Sequence, residues 1–211
     1  MGASDLRIRA VALADLDAII GIHAAARSAY YRGFVPDQEL ADIAASARWR
    51  DAHQRRIEDP GSTTLCAERD GRVAGFVMLS PPHVPAPDPS VVGQLLQIHV
   101  GPEHWRQGLG SALHAATITV WQSASIVTGR VDVWANNARA RGFYAAHGWR
   151  PDGQRRPGPA GFDYLRLCLT VPRPAVPRPA VPHPGALKAW RGRVQAGLAV
   201  SSSAVGSLIQ A

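Results

Sequence analysis

Apolar positions along this chain switch between two rhythms, short β-rich runs and longer stretches repeating every three or four residues. LRIRA (6–10) reads as a strand. In ALADLDAIIGIHAAARSAYY, Leu13, Leu16, Ile19, Ile20, His23 and Arg27 recur at helical spacing, and Gly33 with Pro36 ends the helix. A second amphipathic, arginine-rich helix is predicted from Asp37 to Glu58, stopped by Asp59-Pro60-Gly61. TTLCAER and RVAGFVMLS flank Asp70-Gly71, a strong hairpin signal. A proline-rich loop (81–90) leads into VVGQLLQIHV (91–100), the longest apolar strand candidate. Beyond a glycine-punctuated turn come a helix over Gly108 to Ser123 and the strand GRVDVWA (129–135). Residues 137–148 form a helix closed by Gly148, and strands at Trp149 to Asp152 and 162–171 complete the pattern.

The order is β-α-α-β-β-β-α-β-α-β with a final strand. Such alternation predicts one α/β (mixed α+β) domain over 1–171, with a central mixed sheet of six to seven strands flanked by about four helices. PRPAVPRPAVPHP (172–184) repeats RPAVP and is expected to be an extended linker. Residues 185–211 form a basic tail, read as weakly helical around Leu187 to Val200 or disordered.

Composition narrows the class. With 211 residues, 46% hydrophobic and 18% charged, the chain is globular rather than disordered. No apolar run approaches the roughly 20 residues of a membrane span, and acids interrupt the N-terminal apolar stretch, so a cytoplasmic protein is expected. Cys66 and Cys168 lie in apolar, strand-like runs and are expected to be buried free thiols; no metal-ligand spacing is present. The net charge of +7 suggests a nucleic-acid partner until its location is considered. Five basic residues and no acid follow Val171, leaving 18 basic against 16 acidic residues before it. The domain is nearly balanced, and no nucleic-acid-binding motif accompanies the basic tail.

The informative stretch is LLQIHVGPEHWRQGLGSALHAATI (95–118). A strand ends at Val100, and Gly108 and Gly110 open a helix whose free N–H groups and dipole suit an anion such as a diphosphate. Arg106 and Gln107 add a charge and an amide. This stretch resembles the acetyl-CoA signature of the GNAT superfamily of N-acetyltransferases through Val100, Pro102, Glu103, Gly108 and Gly110. About thirty residues later, VDVWANNARARGFYAAHGW resembles the superfamily's second signature through Asn137, Ala140, Phe143, Tyr144, Gly148 and Trp149. The resemblance spans about residues 5 to 171. One position departs: Trp105 stands where the pattern has Arg or Gln, with the arginine displaced to Arg106.

The resemblance implies a GNAT-like sheet and an acetyl-CoA-dependent transfer of an acetyl group to a primary amine by direct attack on the thioester. It implies that acetyl-CoA wedges between the strands at 91–100 and 130–135. Backbone groups of Ile98 and Val100, with His99 between them, would meet the pantetheine arm and thioester. Amides of Gln107, Gly108, Leu109, Gly110 and Ser111, with Arg106, would hold the diphosphate. Asn137 caps its helix, touches the cofactor, or does both. Tyr144 is the matched acid for the departing thiolate, set against a plain core role.

The positions where some members carry a base are Gln94 and Leu96, neither able to take a proton, and His99 reads as a packing residue on the opposite face. His23 could face the acceptor, and Tyr30, Tyr31, Arg32 and Phe34 line an acceptor pocket or merely seal the helix pair, with Gln94 as a further substrate contact. The acceptor is a small-molecule or peptide amine; no metal and no membrane partner are expected. A homodimer and a non-catalytic acetyl-CoA-binding module remain as alternatives.

Overall fold

The computed structural model describes residues 5–83, 85, 86 and 88–173. The strands are β1 (Leu6–Ala10), β2 (Thr63–Arg69), β3 (Arg72–Ser80), β4 (Val92–Val100), β5 (Thr128–Trp134), β6 (Arg150–Arg156) and β7 (Tyr164–Thr170). The helices are α1 (Leu16–Tyr31), α2 (Asp37–Ala45), α3 (Ala47–Glu58), α4 (Leu109–Ser123) and α5 (Ala138–Ala146). One seven-stranded sheet has the order β1-β2-β3-β4-β5-β7-β6. β4 and β5 are parallel, whereas β1–β2, β2–β3, β5–β7 and β6–β7 are antiparallel, giving the expected mixed sheet. Apart from Pro172 and Arg173, the linker and tail lie outside the described residues.

The single helix expected over 37–58 is two. Ser46 is extended (φ −68°, ψ 126°) and its carbonyl accepts the amides of Trp49 and Arg50, so the chain restarts as α3. Serine suits such a boundary because it favours the residue just before a helix. The restart buries Trp49 and His53, four residues apart on one face. The expected strand at Trp149 to Asp152 becomes β6 (Arg150–Arg156), and Cys168 is only half-buried, unlike Cys66.

The chain divides into two compact units. The first joins the residues up to Leu79 with Gln97–Thr119. In it, Asp70 (φ 50°) and Gly71 (φ 75°) take the left-handed pair of conformations that a two-residue hairpin needs, and Arg69 faces Arg72 across the turn. β3 is buried continuously from Ala74 to Ser80, the signature of a strand covered on both faces. α1 turns Leu16, Ile19, Ile22, His23 and Ala26 inward at helical spacing. Arg9 ties β1 to the helix start and to β2 through Asp15 (2.7 Å) and Glu68 (2.6 Å). The bond from Arg9, helped by the Ala12 amide, holds the Asp15 carboxyl below its usual range despite partial burial.

The second unit joins Ser80–Leu96 with the described residues from Val120 onward. Its β4–β5 ladder is short: Val92–Gln94 pairs with Thr128–Arg130 and goes no further. Gly93 and Gly129 face each other in that ladder, and Trp121 lies across both. A Cβ at Gly93 would meet the indole at 2.4 Å, and one at Gly129 at 2.2 Å, so only glycine fits there while Trp121 remains. Edge strand β6, with Pro151, Gly153 and three arginines, is exposed and irregularly registered, features that discourage pairing with another sheet. Among the described residues, no helix is long and apolar enough to cross a membrane.

Candidate active site

In the first unit, the turn between β4 and α4 is wound tightly and pinned at both ends. Gly101 N–H donates to Ala74 O (2.9 Å), and the Trp105 indole N–H donates to Val100 O (2.7 Å). The residue that departs from the expected Arg or Gln therefore fastens the turn to the end of β4. Gln107 Nε2 donates to Glu103 O (2.9 Å), while Arg69 donates to the Gln107 side-chain oxygen and reaches its carbonyl at 3.4 Å. Arg106 (φ 59°) and Gly108 (φ 85°) are both left-handed. For Gly108 this is relaxed; for Arg106 it is a conformation few side chains favour.

Ala112 N–H bonds Gly108 O, so the amides of Leu109, Gly110 and Ser111 belong to the first turn, where no earlier carbonyl of the helix can take them. Arg106, Gln107, Gly108 and Ser111 are exposed, whereas the Leu109 side chain is sealed in the core and can offer a ligand only its backbone. A helix N-terminus preceded by Arg106, with the Arg69 guanidinium on Gln107, suits a multiply charged anion. Arg69 was not singled out from sequence: it precedes the hairpin turn, 38 residues from the glutamine it holds.

The same unit gathers histidines from three elements. His23 (α1) and His53 (α3) are bonded, Nδ1 to Nε2, at 3.0 Å, and His53 Nδ1 is 2.9 Å from Trp49 O. Trp49 stacks on His23 with ring centroids 4.3 Å apart, and His99 of β4 stacks on it at 4.5 Å. The Arg27 guanidinium lies over the Tyr31 and Trp49 rings at 4.9 and 5.1 Å. Burial, then the neighbouring His99, His53 and Arg27, hold His23 well below the ordinary histidine value. Burial does the same to His53, opposed by the Trp49 carbonyl. Stacked rings present faces rather than converging lone pairs, and among the described residues no group of three or more His, Cys, Asp or Glu is placed to hold a metal ion.

The other residues marked from sequence fare differently. Tyr31 has no exposed surface and packs in the core, the sealing place that was its alternative to a pocket wall. Tyr30, one position away on the helix, is half-buried, and Arg32 and Phe34 are exposed. Ile98, His99 and Val100 are half-buried and are the last three residues of β4, after the part that pairs with β5.

Three of the marked residues lie in the second unit. Gln94 is buried, with Nε2 3.5 Å from Leu95 O. Asn137 caps α5, its Oδ1 accepting the Ala140 amide at 3.0 Å. Tyr144 is buried with its ring edge-on to Phe143 (5.4 Å) and Trp149 (5.5 Å).

The model of the acetyltransferase (GNAT) family matches residues 24–149, more than half of the chain. The chain belongs to the GNAT acetyltransferase family. Solved structures agree on the GNAT fold. The PaiA N-acetyltransferase of Thermoplasma acidophilum, solved with coenzyme A, superposes with a TM-score of 0.67 at 17% identity, covering 79% of this chain and 99% of its own. YncA of Salmonella typhimurium, solved with its cofactor acetyl-CoA, gives 0.58 at 20% identity, covering 84% and 100%. The ribosomal-protein-alanine N-acetyltransferase of Brucella melitensis gives 0.58 at 21%, covering 78% and 99%. No curated protein sequence matches significantly. As a GNAT member the chain is an acetyltransferase, and acetyl-CoA is the donor that GNAT enzymes use.

Proposed function

We propose that this GNAT enzyme moves the acetyl group of acetyl-CoA onto a primary amine of a small molecule or peptide. The observation that carries the reading is the start of α4, with the left-handed Arg106 and Gly108 just before it and the adjoining Arg69. The amides of that turn, with Arg106, hold the diphosphate of the donor. The backbone of Ile98 to Val100, outside the β4–β5 ladder, receives its pantetheine arm. A backbone N–H near Val100 stabilises the oxyanion as nitrogen attacks the thioester carbonyl. Tyr144 supplies the proton that the departing thiolate takes up.

Calorimetric titration with acetyl-CoA, CoA, succinyl-CoA and ATP tests this, alongside Gly110→Glu, which charges and fills the turn. Micromolar acetyl-CoA binding that Gly110→Glu abolishes supports the reading. No binding of any CoA ester removes it. A second reading, a non-catalytic acetyl-CoA-binding module, is motivated by Gln94 and Leu96 at the positions where a base could stand. Tyr144→Phe separates the two readings: an enzyme loses turnover and keeps the donor, whereas a binding module has no turnover to lose.

A further inference from the structure

The histidine chain in the first unit has a fixed direction. A carbonyl only accepts, so His53 Nδ1 carries the hydrogen that bonds Trp49 O. A neutral imidazole has one N–H, so His53 Nε2 is a lone pair. His23 Nδ1, 3.0 Å away, must donate to it. The lone pair of His23 is therefore on Nε2, at the outer end of the relay. His23 is 4% exposed, and Nδ1 is the ring nitrogen that its bond to His53 occupies. This is the arrangement of a general base: one ring nitrogen held by an orienting acceptor, the other presented as a lone pair.

Electrostatics keeps that lone pair available. The charged or titratable groups that bear on His23 are His99 from β4, His53 from α3 and Arg27 from α1, with no carboxylate among them. The rings in contact are Trp49, Phe76 and His99. Nothing there favours an imidazolium at rest, and His99 lies between the two β4 residues assigned above to the donor's arm.

We propose that His23 is the proton acceptor of the acetyl transfer and that His53 is its positioning residue; this rests on the amine-acetylation reading above. The acceptor enters as R–NH2. Its lone pair forms the bond to the thioester carbonyl carbon, and the C–S bond breaks with its electron pair leaving on sulfur. The proton shed by nitrogen goes to His23 Nε2 and then to solvent. Sulfur is protonated by Tyr144, which regains a proton from water. A base of low affinity suffices, because nitrogen already bonding to carbon is far more acidic than a free ammonium. The aromatic walls and Arg27 offer no counter-charge to a cationic group elsewhere on the acceptor, so a monoamine with an apolar body suits the site.

The test uses the full chain with acetyl-CoA and L-phenylalaninamide as probe amine. In His23→Ala, thiol release should fall by about 10²- to 10⁴-fold, recover in part with added imidazole, and leave acetyl-CoA titration unchanged. His53→Gln keeps an acceptor opposite His23 Nδ1 and should stay within about tenfold of the wild type, the worth of one altered hydrogen bond. His53→Phe removes the acceptor and should displace the acid limb of the kcat/KM pH profile, which a purely structural role would not move.

An undiminished rate in His23→Ala, with the donor still bound, overturns the assignment while leaving acetyl transfer intact. Failure of the wild type to bind acetyl-CoA overturns the underlying reading instead. Nitrogen-15 spectra of labelled histidines in the wild type decide independently of folding in the variants, and of whether phenylalaninamide is turned over. The Nδ1–H form of His23 at pH 7 supports the proposal; the Nε2–H form, or an imidazolium, overturns it.

Discussion

Two buried polar clusters, one in each unit, meet the cost of leaving water in opposite ways. In the first unit His23 and His53 stay neutral and share a directed hydrogen-bond chain among aromatic rings. In the second, Asp132 of β5 stays ionised. Arg156 Nε is 3.1 Å from it, Arg166 Nε 3.5 Å, and His83 Nε2 3.6 Å, within ion-pair range but outside hydrogen-bond reach. Burial alone would raise the Asp132 carboxyl; His83 and Arg156 bring it down to about 2. Neutralisation leaves a reactive lone pair, whereas pairing consumes both charges. The ionic cluster therefore reads as structural and the neutral one as chemical.

The largest effect expected from breaking this contrast comes from Asp132→Ala, which strands two arginines. Chemical denaturation should show a loss of about 3 kcal/mol, since removing one partner of a buried ion cluster exposes the desolvation cost of the others. Removing a neutral group from the histidine relay should instead show mainly in turnover.

Acid titration sharpens the same comparison at intermediate size. Both histidines have folded values below the 6.5 of a free imidazole, so the unfolded chain takes up protons first as pH falls. Their contribution to stability is complete above about pH 6.5 and declines below it, by about 1.4 kcal/mol per pH unit for each titrating ring. Asp132, at about 2 against 3.8 unfolded, contributes fully above pH 3.8 and loses that contribution as pH falls toward 2. Thermal melts from pH 8 to pH 2 should show two separate declines; a single one near pH 4 would count against the neutral histidine pair.

The smallest effect is the control. Arg50 and Asp17 form an ion pair with side chains 52% and 81% exposed. Arg50→Ala should change stability by less than about 0.5 kcal/mol, and 0.5 M salt should erase the difference.

What could be read from sequence was local. The Asp70-Gly71 hairpin, the inward face of α1 and the glycine turn before α4 each depend on residues within one or two turns of each other. The histidine relay could not be read that way, because its bonded members are 30 residues apart and meet only when α1 and α3 pack. Arg69 was missed for the same reason. Tyr30 and Tyr31 look alike in a list, yet a single helical step of about 100° separates a half-buried ring from a wholly buried one. β6 extends past the expected strand because Arg150–Arg156 has no apolar alternation to mark it; its pairing with β7, not its side chains, makes it a strand.

The tryptophan laid over two glycines has a consequence for heredity. Gly93, Gly129 and Trp121 cannot be inherited as three independent letters, since any side chain at either glycine collides with the indole. A lineage that shrinks position 121 opens room at 93 and 129 together, and one that enlarges either glycine must first surrender the tryptophan. Substitutions at these positions should therefore travel as a trio, with each single change harmful and the matched change tolerated.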